Sequence, residues 1–190
     1  MTREIADVPG AVRRAVAELG PCLVLMIGAA GSGKSSLARQ IAAADSQVLS
    51  SDCLRRVVSG NPNDQDATAE AMAGLHLLAE ARLRRGLSTI VDATNVEAAA
   101  RLPLISMARR HGVPVLAVVM TTPLGECLTR NARRPGPAPG ARWGRRVPEP
   151  ALRAQYLHAQ RALPLLASEG SARVIFTSGQ PENDQNGAGQ

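Results

Sequence analysis

Eight consecutive residues, Gly28-Ala29-Ala30-Gly31-Ser32-Gly33-Lys34-Ser35, satisfy the pattern G-x-x-x-x-G-K-[ST] at every fixed position. Glycines let a backbone curl until several N–H groups converge on one anion. A helix that starts at the end of such a loop adds the positive end of its dipole. Lys34 then supplies charge for β- and γ-phosphates, Ser35 supplies a hydroxyl oxygen to Mg²⁺, and Ser36 closes the nucleotide-contacting run. The chemistry is nucleoside triphosphate binding. The loop alone does not name what receives a phosphoryl group. Lys34 is also the sole lysine, since 21 of the 22 basic residues are arginine. A chain that otherwise uses arginine for its cations keeps an ammonium at this one position.

Two further stretches hold acids that fit the same chemistry. Ser50-Ser51-Asp52 precedes Arg55, which lies three residues beyond the acid and faces the same way from a helix start. A carboxylate near a γ-phosphate can take the proton from an attacking hydroxyl, and a neighbouring arginine can hold a phosphate. The competing role for a Ser or Asp here is an ordinary helix N-cap. Thr89-Ile90-Val91-Asp92 reads as a strand ending in an acid that assists Mg²⁺, or equally as a turn acid. Asn95 fits a helix cap near Glu97 as well as it fits a site.

Positive charge is concentrated in one place. Between Arg130 and Arg161 there are eight arginines and one acid, Glu149, while the rest of the chain is nearly neutral. Residues 135–148 are rich in Pro, Gly and Ala, and the segment about 130–150 reads as a lid whose arginines meet phosphate. The competing reading is a solvated surface. Trp143 and Tyr156 lie in or beside this segment; Trp143 either stacks on a base or packs. Only three aromatic residues exist, too few for a broad stacking platform. His76, His111 and His158 are scattered, nothing places a carboxylate beside them, and they read as surface or packing residues.

These residues need a frame to bring them together. Apolar runs at 22–27, 47–50, 87–91, 113–120 and 173–177 read as strands. Helical spacing covers the stretch ending at Leu19, then 37–44, 54–59, 66–85, 97–111, a helix opened by Pro123, and 150–168 with a kink at Pro164. Short apolar strands alternating with helices predict an α/β fold, a parallel sheet of about five strands flanked by helices. Residues 28–35, 50–55 and 92–95 all follow strands, where such sheets place their sites. One domain is expected over 1–177, with 178–190 a loose tail.

The 45% apolar and 20% charged composition is that of a globular chain. No run approaches the roughly 18 apolar residues of a membrane span. Arg13-Arg14 before an apolar stretch imitates an export signal, but Glu18 interrupts it. Three widely spaced cysteines, Cys22, Cys53 and Cys127, show no metal spacing and suit a reducing, cytoplasmic setting.

Together, Gly28 to Ser35, Ser50-Ser51-Asp52-Cys53-Leu54-Arg55, Asn63-Asp64-Gln65, Val91-Asp92-Ala93-Thr94-Asn95, Arg130-Asn131-x-x-Arg134 and Gly144 to Pro148 resemble one family. It is the P-loop polynucleotide 5′-hydroxyl kinases, in particular the kinase module of bacterial RNA-repair proteins, over about residues 22–177. The resemblance implies transfer of phosphate from ATP, with Mg²⁺, to a 5′-hydroxyl end. It implies Asp52 as general base, Arg55 as an acceptor-side cation, and Arg130 and Arg134 as lid arginines on ATP phosphates. The Pro-Gly-rich stretch 135–140 departs from family lids. The repair proteins also carry phosphatase and ligase modules; here no Asp-x-Asp pair ends a strand, and the single lysine belongs to the loop. A kinase module standing alone is therefore expected. A small-molecule kinase and a nucleotide-dependent switch ATPase are the alternatives: the first needs no cationic entrance, the second no Asp52.

Overall fold

A computed structural model describes residues 7–140, 142 and 144–178. Trp143 and all but the first residue of the expected tail therefore lie outside the described residues. Five parallel strands form one sheet, β1 (Leu23–Ile27), β2 (Val48–Ser50), β3 (Thr89–Asp92), β4 (Val115–Val119) and β5 (Arg173–Phe176). Their spatial order is β2-β3-β1-β4-β5. Helices α1 (Val8–Leu19), α2 (Lys34–Ile41), α3 (Ser51–Ser59), α4 (Thr68–Leu83), α5 (Ala98–Arg110), α6 (Leu124–Ala132) and α7 (Glu149–Ala162) connect and cover it.

Successive side chains of a strand point to opposite faces, and β1 shows why this strand is apolar throughout. Leu23, Leu25 and Ile27 join a core with residues of α4 and α5, including Leu75 and Leu104. Cys22, Val24 and Met26 join a second core with Val12, Leu37 and Ile41 from α1 and α2. Both faces are covered, so no position of β1 is polar. A third, small cluster joins Ala30, Cys127 and Leu152 beneath the glycine-rich loop.

The expected strands all form, with ends moved by at most two residues; β3 starts two residues later than expected and reaches one further, to Asp92. Three helices differ from expectation by three residues or more at an end. The helix expected over 37–44 runs Lys34–Ile41 and so starts at the loop's own lysine. The short helix begins at Ser51 rather than Leu54, which brings Asp52 into its first turn. The helix expected over 150–168 runs Glu149–Ala162 and gives way to a 3₁₀ turn at Leu163–Leu165. Pro164 lacks an N–H and disfavours helix in the residue before it, so the helix stops instead of kinking.

Candidate active site

Parallel strands end at one edge, and β1 lies where connections diverge to either side, the usual crevice of such sheets. The glycine-rich loop leaves β1 at that edge. Register carries the second and third stretches there as well: β2 pairs with β3 so that Ser50 stands opposite Asp92. Asp52, two residues past Ser50, therefore emerges beside the end of β3.

The loop turns into α2 at Gly33, whose φ of 99° places it in the left-handed region. Gly31 has a φ of 82°, and a Cβ there would come 2.6 Å from the Cys127 carbonyl oxygen. Lys34 is buried, and its ammonium donates to the carbonyls of Gly28 and Ala29, each at 2.8 Å. Burial pulls the Lys34 pKa down to about 8; Asp92 opposes this, Arg134 adds to it, and Cys127 and Asp52 oppose it. Asp92 is buried too, and burial raises its pKa against the pull of the Ser35 hydrogen bond and of Lys34. Ser35 and Asp92 thus present a hydroxyl and a carboxylate side by side, the hard oxygen donors that suit Mg²⁺. Ser32 is buried with its hydroxyl lacking a partner. An orphaned buried hydroxyl in this loop fits a phosphate oxygen. Ser36, by contrast, is exposed on α2.

Asp52 pairs with Arg55 across one helical turn, and its side chain is 56% exposed. Arg55 is buried and also donates from Nε to the Pro62 carbonyl at 3.0 Å. Neither acid nor serine caps α3: Ser50 occupies the N-cap position and makes no side-chain cap bond. The Asp52 carboxylate lies close enough to act electrostatically on Lys34, Asp92 and Arg134. The three stretches chosen from sequence therefore share one field.

Asn95 is not a helix cap either. It adopts a φ of 48°, and Glu97 holds the N-cap position of α5. Its side-chain amide donates to the Met26 carbonyl at 2.9 Å, and its own carbonyl accepts from Arg101 at 2.9 Å. The Gly28 N–H donates to the Thr94 carbonyl at 3.0 Å. Arg101 is fully buried and meets Glu169 with both Nε and a terminal nitrogen, at 2.8 and 2.6 Å. The turn after β3 is thus bolted to the root of the phosphate loop. Arg101 escaped the sequence reading because its partner lies 68 residues away.

The arginine segment is less self-repelling than its composition suggests. Arg130 pairs with Glu126 and Arg153 with Glu149, and Arg142 donates to Asp66 at 2.9 Å. Two of these acids, Glu126 and Asp66, lie outside the segment, which is why counting charge along the chain missed them. Arg130 also donates to the Gly31 carbonyl at 3.4 Å. Arg134 is partly buried; burial and then Arg145 hold its pKa below the usual arginine range. The histidines need a correction as well. His111 meets Glu80 and His158 meets Glu97, so two of the three do have carboxylate partners. Both pairs join separate helices or loops and were invisible to local spacing.

Among the described residues no helix is long and apolar enough to cross a membrane. No curated protein sequence matches the chain. Solved structures do. A chain of the Pnkp1/Rnl/Hen1 RNA repair complex is similar at 19% identity and a TM-score of 0.61, over 76% of this chain and 45% of that one. This chain therefore spans under half the length of that repair protein. AvrRxo1-ORF1:-ORF2 with ATP matches at 18% identity and a TM-score of 0.58, over 85% of this chain and 56% of that one. A putative kinase from Chloroflexus aurantiacus matches at 15% identity and a TM-score of 0.54, over 83% and 87%. At such identities the likeness is one of fold alone. A family model described as an AAA domain covers residues 23–161, most of the sheet and the site just described, and the chain belongs to that AAA-domain family.

Proposed function

We propose that this chain is an ATP-dependent phosphotransferase that moves the γ-phosphoryl group to a hydroxyl, with the 5′-OH end of a polynucleotide as acceptor. The proposed unit is one kinase domain over residues 1–177 with a lid at about 130–150. One observation carries the reading. Lys34 shares a site with two carboxylates of different character: Asp92, buried beside Ser35, and Asp52, half-exposed beside Arg55.

Each residue has a separate task. The loop from Gly28 to Gly33, through backbone N–H groups other than those of Gly28 and Ala30, which donate to Thr94 and Gln155, holds the nucleotide phosphates with Lys34, Ser35 and Ser36. Ser35 and Asp92 are the residues that would hold Mg²⁺, which would neutralise charge on the nucleotide phosphates. Asp52 orients the acceptor hydroxyl and takes its proton as the new O–P bond forms and the bond to the leaving ADP oxygen breaks. Its exposure suits a base that must meet an incoming end. Arg55, Arg130 and Arg134 hold the acceptor and the transferring group.

The polynucleotide is preferred over a small hydroxyl compound for one reason of charge. Arg133, Arg145 and Arg146 are exposed on the arginine segment. A small acceptor has no phosphates to meet them. The likeness to a protein of an RNA repair complex supports the same choice. The test is incubation with γ-labelled ATP, Mg²⁺ and a 5′-OH oligonucleotide. Label on the oligonucleotide is the expected result. Label only on small alcohols, or phosphate release indifferent to Asp52→Ala, overturns it in favour of a small-molecule kinase or a switch ATPase.

A further inference from the structure

The phosphate loop is gripped by residues that flank the lid on both sides in sequence. Thr122 donates its hydroxyl to the Ser32 carbonyl at 2.8 Å. The Cys127 carbonyl packs where a side chain on Gly31 would be. The third contact comes from beyond the lid: the Ala30 N–H donates to Oε1 of Gln155, 2.9 Å away and 125 residues on in sequence. Among the described residues, no other N–H of residues 28–35 donates to a side chain.

Gln155 is placed there by packing. Leu152, one helical turn earlier on α7, is fully buried against Ala30 and Cys127. Residues three apart on a helix share a face, so burying Leu152 aims Gln155 at the loop. The start of α7 is tied in turn to α6. The Asn131 side chain donates to the Val147 carbonyl at 2.8 Å and accepts from its N–H at 3.0 Å. The two roots of the arginine loop are therefore pinned together, and the helix leaving it touches the anion cradle.

We infer that Gln155 is a positioning residue for the nucleotide: it turns the Ala30 amide outward, fixes the curl of the phosphate loop, and links the lid's return helix to that loop. The inference rests on the nucleotide-binding part of the proposed function and not on the identity of the acceptor. Ala30 is buried, and without Gln155 its N–H loses its acceptor. A buried amide in that state seeks another acceptor by distorting the loop.

The test uses the full chain in two states. In nucleotide-free protein, Gln155→Leu raises the exchange rate of the Ala30 amide about tenfold, the scale of one lost hydrogen bond. Gln155→Glu keeps an acceptor oxygen and restores protection. With a fluorescent ATP analogue, Gln155→Leu weakens Kd by roughly 5–10-fold, and KM for ATP rises in parallel while kcat stays within about twofold. Unchanged Ala30 exchange in Gln155→Leu, equal exchange in the Leu and Glu variants, or a fall in kcat with Kd intact overturns the inference. Should Gln155→Leu fail to fold, Gln155→Asn, too short to reach, carries the same comparison. A wild-type protein that binds the analogue but transfers no phosphate overturns the kinase reading, and exchange and Kd still decide Gln155.

Discussion

Ser50 on β2 stands in register opposite Asp92 on β3. That single pairing sets the distance between the exposed carboxylate at the start of α3 and the buried one at the end of β3. It leads to different expectations for the two acids. Asp52→Asn keeps size and exposure but cannot accept a proton. It should lower kcat by roughly 10²–10⁴ while leaving the Kd of a nucleotide analogue unchanged. Steady-state transfer and equilibrium binding together check this.

Lys34→Ala should abolish transfer to any acceptor, a loss of at least about 10²-fold in kcat. Lys34→Arg should not restore it, because the buried ammonium sits 2.8 Å from two carbonyls and leaves no room for a planar guanidinium. Labelled-ATP assays on both variants decide the matter.

The depressed Lys34 pKa has a pH signature. Its folded value of about 8 lies below the ordinary 10.5. Between those values the unfolded chain binds more protons at this site than the folded one. Stability contributed by this group therefore rises with pH across that window and is lowest below it. Bound phosphate favours the ammonium and raises the pKa again. Nucleotide binding near pH 8.5 (about the middle of the lower half of the window) should thus take up protons. Calorimetry in buffers of different ionisation enthalpy measures this uptake, and Lys34→Met should remove it.

Arg55→Ala should impair use of the acceptor more than basal ATP hydrolysis. Arg55 pairs with Asp52 and donates to the Pro62 carbonyl, both outside the phosphate loop. Comparing KM for a 5′-OH oligonucleotide with the rate of phosphate release checks the expected split; equal losses reject an acceptor-side role.

Arg101→Met should destabilise the fold by about 3–5 kcal/mol, because it strands the Glu169 carboxylate in a site where both partners are largely buried. Adding Glu169→Leu should recover much of that loss, since an apolar pair of similar volume often replaces a buried ion pair without cost. Chemical denaturation of the single and double variants gives both numbers.

The glycine-rich loop, the strand before it, the alternation of strands and helices, and the acids at 52 and 92 were legible from residue order. Each depends on neighbours a few positions away: a turn needs its glycines, a doubly covered strand needs unbroken apolar residues, and a helix start needs its first turn. Tertiary structure decided the rest. It released Ser50, Asp52 and Asn95 from capping duty. It gave His111 and His158 carboxylate partners, and it supplied Arg101 to the turn after β3 and Gln155 to the glycine-rich loop. Those contacts join residues 6 to 125 positions apart. Strand register and the burial of faces such as that of Leu152 create them, so no local spacing encodes them.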